Sequence, residues 1–573
     1  MTYHHIIFNA SPSHTEKFSL QQDENYRDLF GRYRPSKVLI LTTKTLSEIH
    51  PGLKSEVENR NLTPEICEIE DLTPPPNWTK EMLSTKPYRI LSDMIDAFSQ
   101  SNLERHKTLV TIVGGSALYS SLLLVLSRVI GASVVLNEGN REEPDYQIQS
   151  WLSRVEEYTQ IKKHEKTFLA NLLESKKTAD YSIVGHDSQW KSAKEISGVN
   201  TKAPKAKGVS NTTSDLVENG LIESNNGDPV QYRLTAKGWT TALSTIELNS
   251  FASDKLSKIR ASRITGLRLN RRPEEKVPAI RIATSLPFVE DWLTILGIER
   301  NQEIGGVTLF DHQSPSNVLS EEQIEIHNEW RDFLSSMEMN EHSWGLLDVV
   351  GDLEETFCNF CEWIWPRITG ENPQRYWSLD LTQFTNKQIP IISHFAFSVG
   401  IPITWTSAPK GHVGVKTGVV KHNIENRSNR IFSVPNLDFS KYLIDGGKTV
   451  LEERIQILLA LLYQEEQYKQ DNENNLRKLN PFKEQTATKK GVKGGNIEQL
   501  AEIVAGISNQ SIRAKLTFTP NSASHRASKK LVGEHFVEIK TVSQKHHLTL
   551  TPQGRLVARI IRDRMLSTME RSG

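Results

Sequence analysis

Short apolar runs rich in β-branched residues alternate with helical stretches along the first 140 residues of the chain. The runs cover residues 4–9, 37–43, 64–70, 108–113 and 133–137. This alternation is typical of a doubly wound parallel sheet, because each helix crosses a face of the sheet between two parallel strands. We therefore predict a Rossmann-like α/β domain over residues 1–142.

The same alternation returns in the second half of the chain. Strand-like runs cover 278–285, 306–310, 344–350, 376–382 and 402–406, and helical periodicity marks 287–297, 320–336 and 353–368. This pattern predicts a second Rossmann-like domain over 275–447, with an irregular insertion at 407–447. The predicted fold class is α/β plus α+β, built as a tandem duplication.

Each α/β domain is followed by a smaller module. Residues 143–250 read as an amphipathic connector helix over 145–177, a helix–turn–helix and a polar hairpin at an Asn-Gly pair. That order is typical of a winged helix-turn-helix. A connector and linker over 448–494 precede a second module at 495–573. Both modules have a T-x-x-G sequence after the hairpin, Thr235–Gly238 and Thr551–Gly554.

Charge is balanced over the 573 residues, with 69 Lys+Arg against 69 Asp+Glu, so any nucleic-acid surface has to be a local patch. Both small modules contain such clusters, and neutralising phosphates with them makes binding depend on salt. We expect the two small modules to contact DNA. The expectation is stronger for the C-terminal module, because candidate residues lie at the start of its predicted recognition helix, where side chains reach base edges. The alternative to DNA binding is that the basic residues form an ordinary solvated face and that the modules serve packing or oligomerisation. The candidate DNA-binding residues are Lys191, Lys194, Lys202, Lys205, Lys207, Arg513, Lys515, Ser524, His525, Arg526, Lys529 and Lys530.

The fourth strand of each α/β domain leads into a short turn of small and polar residues. In the first domain it reads Val113-Gly114-Gly115-Ser116-Ala117, and in the second Asp380-Leu381-Thr382-Gln383-Phe384-Thr385-Asn386-Lys387. These turns, joined to winged helices, resemble the CRISPR-associated Rossmann-fold (CARF) regulators, whose turn commonly reads Thr-Gly-Gly-Thr-Lys. The first copy has Ala117 in place of the lysine, which weakens phosphate binding in that half. The second copy keeps both threonines and the lysine but has Phe384 where the family's turn has a glycine.

The resemblance implies a cyclic oligoadenylate ligand, bound across a two-fold axis by the ends of strands one and four of two domains. A tandem chain supplies both halves of this ligand site itself, as an intramolecular pseudo-dimer. A homo-oligomer is a further possibility that the sequence leaves open. Residues of this kind at strand ends also serve as ordinary helix caps, which is the alternative for each of them. The candidate ligand-binding residues are Asn9, Ala10, Ser11, Gly114, Gly115, Ser116, Thr284, Ser285, Thr382, Gln383, Thr385, Asn386 and Lys387.

The leading hypothesis is a ligand-responsive DNA-binding regulator, CRISPR-associated and active in antiviral defence. One alternative is a ring nuclease that degrades the cyclic oligoadenylate with Ser11, Ser116, Thr385 and Lys387, and another is an adaptor whose winged helices bind protein. We assign no catalytic residue, cofactor or metal site, because the histidines and the three cysteines lack ligand spacing. Without a signal peptide or an apolar run of membrane-spanning length, we expect a cytoplasmic protein.

Overall fold

The structure, a computed structural model, describes part of the chain. The described residues are 5–9, 24–44, 50–70, 80–112, 117–138, 145–153, 162–173, 181–183, 190–192, 196, 206–225, 227–245, 279–284, 304–311, 328, 341–346, 352–369, 376–381, 384, 387–399, 403–406, 431–434, 459–460, 462–463, 531, 536–542, 545–551 and 554–562. The chain divides into two compact units, Met1–Leu267 with Arg272–Asp438, and Arg268–Arg271 with Phe439–Gly573.

The first α/β domain is built on a six-stranded sheet in the order β3-β2-β1-β4-β5-β6. The first five strands run parallel and β6 is antiparallel to β5. The mixed α/β fold and mostly parallel sheet are compatible with the predicted Rossmann-like domain. Its elements are β1 (His5–Asn9), α1 (Glu24–Tyr33), β2 (Lys37–Thr43), α2 (His50–Glu58), β3 (Thr63–Ile69), α3 (Lys80–Gln100), β4 (Thr108–Thr111), α4 (Ala117–Ile130), β5 (Ser133–Asn137) and β6 (Tyr146–Gln149).

Burial in this domain follows the apolar pattern. Ile6, Val38, Ile40 and Leu109 from the central strands are fully buried in one core cluster. The helix α4 is apolar on nearly every face, and every residue in it except Arg128 is buried. A helix that is hydrophobic all round has to be covered on all sides. The first sheet alone cannot cover it, so a second layer must pack on its outer face.

The second sheet has seven strands in the order β16-β15-β14-β11-β12-β13-β7. Its strands run parallel except β16, which is antiparallel to β15. Counted from its own first strand β11, the order is again 3-2-1-4-5-6, with an antiparallel sixth strand, as in the first sheet. The elements are β7 (Tyr181–Ile183), β11 (Ala279–Thr284), β12 (Ile304–Asp311), β13 (Glu341–Leu346), α9 (Leu353–Thr369), β14 (Tyr376–Asp380), α10 (Gln388–Val399), β15 (Ile403–Thr406) and β16 (Ile431–Val434).

Three details differ from the sequence-based boundaries. The first sheet extends past residue 142, because β6 lies where the connector helix was predicted to begin, and Tyr146-Gln147-Ile148-Gln149 alternates with the period of a strand. β16 falls inside the 407–447 insertion, where Ile431-Phe432-Ser433-Val434 completes the sheet edge. β7 comes from the stretch assigned to the first small module, yet it pairs with β13.

The predicted helix 287–297 lies outside the described residues, and within 320–336 only residue 328 is described.

The first small module, which follows the first sheet along the chain, has a three-stranded antiparallel sheet in the order β8-β10-β9. Its hairpin connects β9 (Ile222–Ser224) to β10 (Gln231–Leu234) and leads into the closing helix α8 (Ala236–Thr245). A short helix, α5 (Ser150–Ser153), joins this module to the first sheet. The module consists of α6 (Lys163–Leu173), β8 (Lys191–Ser192), α7 (Ala206–Glu218), β9 (Ile222–Ser224), β10 (Gln231–Leu234) and α8 (Ala236–Thr245).

The C-terminal unit contains an antiparallel hairpin, β17 (Val537–Val542) with β18 (Lys545–Leu550), and then a helix over 554–562. The predicted recognition helix of this module lies outside the described residues. Among the described helices, not one combines the length and apolar content that a bilayer crossing requires.

Candidate functional site

The helices α4 and α10 pack against each other. They occupy equivalent places, since α4 follows the fourth strand of the first sheet and α10 follows the fourth strand of the second. The hydroxyl oxygens of Ser121 and Ser393 are 3.1 Å apart at this contact. Further along, Arg128 Nη2 lies 2.9 Å from His394 Nδ1 and 3.5 Å from Ser398 Oγ. The contacts advance in the same direction along both helices, so both helices begin at the same end of the interface.

Lys387, which directly precedes α10, reaches across to the first domain. Its ammonium donates a hydrogen bond of 3.1 Å to the backbone carbonyl of Glu138, at the carboxyl end of β5. The first turn of α10 therefore lies beside the carboxyl edge of the first sheet, where open α/β sheets bind their ligands. Burial lowers the pKa of Lys387, while the negative charge of Glu138 opposes that shift.

The side chain of Glu138 is the second charged group at this position. Gln149 Nε2 donates a hydrogen bond to its carboxylate. Burial, followed by the charges of Asp352, Asp145 and Glu354, raises the pKa of Glu138 to about 7. Acidic side chains from both α/β domains thus surround the position at which Lys387 contacts Glu138.

Asp352 and Glu354 belong to the start of α9. Asp352 Oδ1 accepts hydrogen bonds from the backbone N–H groups of Glu354, at 2.8 Å, and Glu355, at 3.3 Å. This is ordinary N-capping of a helix. The same carboxylates also raise the pKa of Glu138 in the other domain, a second effect that their cap position alone does not reveal.

The structure describes only part of the predicted ligand-binding set. Asn9 ends β1 and Thr284 ends β11, and these two central strands pair with β4 and β14. Phe384 is buried, and its N–H donates to the carbonyl of Leu381 at 3.3 Å. The predicted residues Ala10, Ser11, Gly114, Gly115, Ser116, Ser285, Thr382, Gln383, Thr385 and Asn386 lie outside the described residues.

Of the predicted DNA-binding residues, Lys191 has a described side chain. Its ammonium donates to the carbonyls of Asn171 and Leu172 at 3.3 and 3.1 Å, so it supports the C-terminal end of α6. Lys207 lies on α7, and nothing of its side chain is described. Lys194, Lys202, Lys205, Arg513, Lys515, Ser524, His525, Arg526, Lys529 and Lys530 lie outside the described residues.

A group of possible metal ligands occurs away from this interface. The ligand atoms of His164, Glu165 and Asp215 lie within 4.8 Å of one another. The ammonium of Lys162 is already 3.0 Å from Asp215 and 3.7 Å from Glu165. Glu165 also accepts the backbone N–H of Lys162, as a helix cap does. The lysine supplies the positive charge that these carboxylates attract.

The sequence-based search found Lys387 but missed Glu138 and His394. The lysine belongs to a recognisable turn, whereas Glu138 follows β5 in a stretch without a motif. His394 stands alone on an apolar helix, which in sequence is the pattern of a core residue. The cysteines Cys358 and Cys361 are buried on α9 and unpaired with each other, and burial raises the pKa of both thiols well above the usual value.

No protein-family model and no curated protein matches the chain. Solved structures similar to this chain include three with sequence identities of 9–11%. Protein VC1899 from Vibrio cholerae is 11% identical over 64% of this chain and 98% of its own, with a TM-score of 0.17. A type III CRISPR defence DNA nuclease activated by cyclic oligoadenylate is 9% identical over 96% of this chain and 83% of its own, with a TM-score of 0.30. Can2 from Sulfobacillus thermosulfidooxidans, solved with cyclic tetra-adenylate, is 9% identical over 64% of this chain and 98% of its own, with a TM-score of 0.17.

Proposed function

We propose that the chain is a ligand-responsive DNA-binding regulator of the CARF type. Its two α/β domains, a tandem duplication, pair within the chain and bind a cyclic oligoadenylate at their shared cleft. The two small modules are winged helices that contact DNA. The observation that carries the proposal is the packing of α4 against α10, with Lys387 hydrogen-bonded to the carboxyl edge of the first sheet.

The duplication is supported by the two sheets, which share strand order and the antiparallel sixth strand. It is also supported by the two T-x-x-G sequences. Thr235 Oγ1 accepts the N–H of Gly238 at 3.0 Å, and Thr551 Oγ1 accepts the N–H of Gly554 at 2.9 Å. In each case the threonine N–H also bonds a carbonyl just before the hairpin, that of Leu221 or Phe536.

An anionic ligand fits the pairing because α4 and α10 begin at the same end of their interface. Helix N-termini carry a partial positive charge and unpaired N–H groups, which favour phosphate. Lys387 adds a full positive charge, whereas Glu138, Asp352 and Glu354 oppose a polyanion. We therefore expect ligand affinity to increase when Glu138 is neutral.

The proposal is tested with cyclic tetra-adenylate and the full-length chain by isothermal titration calorimetry. Lys387→Gln removes a charge-assisted interaction and is expected to weaken binding ~10-fold or more, the usual magnitude for a hydrogen bond to a charged group. Lys54→Gln is the matched control, because Lys54 is an exposed lysine on α2 paired with Glu58 in its own helix. Equal affinities of the two variants would contradict the assignment of Lys387.

DNA binding is tested by fluorescence anisotropy with a mixed-sequence duplex, with and without cyclic tetra-adenylate. Reversing the charges of Arg526, Lys529 and Lys530 to Glu is expected to abolish binding and its salt dependence. Unchanged binding would contradict the DNA-contact assignment. Conversion of the cyclic ligand to linear products would instead indicate the ring nuclease, and a chain that binds neither ligand nor DNA would indicate the protein-binding adaptor.

A further inference from the structure

His394 lies where the two α/β domains and the first small module meet. It is fully buried on α10. Its Nδ1 is 2.9 Å from Arg128 Nη2 on α4, and its Nε2 is 2.8 Å from Thr240 Oγ1 on α8. The imidazole ring also makes edge contacts with Trp151 on α5, at 5.1 Å, and Phe357 on α9, at 5.2 Å. One side chain therefore joins five helices.

The directions of these hydrogen bonds are fixed by chemistry. A guanidinium only donates, so Nδ1 of His394 accepts from Arg128. The proton of the neutral ring then sits on Nε2 and is donated to Thr240, whose hydroxyl proton goes to the carbonyl of Ala236 at 2.9 Å. Arg128 is itself held in place, because its Nε donates to the carbonyl of Leu152 at 3.0 Å. Each step determines the next, so the three side chains form an oriented relay.

The relay connects to the cleft through a second series of contacts. Lys387 bonds the carbonyl of Glu138, and the carboxylate of Glu138 accepts from Gln149. Trp151 Nε1 donates to Gln149 Oε1 at 2.6 Å, and the same indole lies against the ring of His394. Contacts thus run without a break from the candidate cleft to α8.

We propose that His394 is a positioning residue that couples the packing of α4 against α10 to the placement of α8 and the first small module. The inference rests on the proposed function for its ligand, and it adds the means by which the paired domains control a small module. The module is docked through α8, which packs against α5, α6, α9 and α10. A ligand that shifts α4 against α10 changes the Arg128–His394 bond, and with it the hold on Thr240. Coupling of this kind requires an element whose position depends on both the ligand cleft and the first small module, and α8 is that element.

A double-mutant cycle tests the coupling without any ligand. Thr240→Val keeps the shape of the side chain and removes its hydroxyl, and Arg128→Lys keeps the charge and removes the guanidinium. Both bond to His394, from opposite sides of its ring. We expect each single variant to lower the Tm, and the double variant to lower it by less than the sum of the two shifts. Additive shifts would overturn the proposal. In a His394→Phe background, the Tm shifts of the two single variants are expected to add. If the His394→Phe chain does not fold, the cycle in the unmodified chain decides alone.

A ligand experiment then separates this inference from the proposed function. Hydrogen exchange in peptides of α8 is measured with and without cyclic tetra-adenylate for the unmodified chain, Thr240→Ser and Thr240→Val. Thr240→Ser keeps the hydroxyl and is expected to retain the ligand-induced change, whereas Thr240→Val still binds the ligand and loses the change. A full response in Thr240→Val would overturn the coupling. A chain that does not bind the ligand would contradict the proposed function, and the cycle would still decide the role of His394.

Discussion

Glu138 sits where burial and three neighbouring carboxylates oppose its charge. Its pKa of about 7 in the folded chain lies above the ordinary value of 4.5. Between these two values the folded chain binds more protons than the unfolded chain, so stability falls as pH rises through this window. Glu138→Gln keeps an oxygen that can accept from Gln149 and removes the charge. We expect it to raise the Tm at pH 8 and to change it little at pH 4, as measured by differential scanning fluorimetry. The same Tm difference at both values would contradict the account of Glu138.

Prediction from the sequence singled out residues that belong to a motif and missed residues whose surroundings only the fold creates. Lys387 is part of a turn that can be recognised, and it lies at the domain interface, where its ligand-binding role stays a prediction. Glu138 acquires Lys387, Asp352 and Glu354 as neighbours from more than 200 residues away, and His394 acquires Arg128 from 266 residues away. The basic residues of the C-terminal module and most of the predicted turn residues stay predictions, because they lie outside the described residues.

The T-x-x-G element is a corner at which the chain passes directly over a carbonyl group. A Cβ on Gly238 would lie 1.8 Å from the carbonyl oxygen of Leu221, and a Cβ on Gly554 would lie 1.8 Å from that of Phe536. Alanine at either position forces the backbone to move, which in packed sites costs ~1–3 kcal/mol or more. We expect Gly238→Ala and Gly554→Ala each to destabilise the chain in urea unfolding. Gly31→Ala is the control, because nothing lies within 4 Å of a Cβ at that exposed helical position. A corner variant as stable as the control would show that the corners do not constrain the modules.

At the level of elements, strands that appear as apolar runs are predictable, the edge strand β3 among them, whereas the short edge strands β6, β16 and β7 are not. Central parallel strands are buried on both faces and appear in sequence as apolar runs. The edge strands β6 and β16 are only four residues long and follow polar stretches, so their signal is weak. β7 is shorter still, and it joins the second sheet from a distant part of the sequence.

At the scale of the whole molecule, one of the two compact units contains both α/β sheets and the first small module, whose helix α8 packs against α5, α9 and α10. The apolar character of α4 predicts that something must cover it, but the sequence does not say what. The structure supplies α10 of the second domain for that place, with paired serines and the Arg128–His394 bond. These contacts bring the two α/β domains together within one chain.

The central claim is that α4 and α10 of the same chain pack together, and a disulfide tests it most directly. The Oγ atoms of Ser121 and Ser393 are 3.1 Å apart, a separation from which cysteine side chains at these positions can rotate into a disulfide. We predict that Ser121→Cys with Ser393→Cys, under mild oxidation, forms a bond within single chains, seen as a faster monomer band on a non-reducing gel and confirmed by peptide mass spectrometry. Ser121→Cys alone, with the native cysteines still present, should give no such band. Failure of the double variant to cross-link, or cross-linking only between chains, would contradict the internal pairing of the two α/β domains.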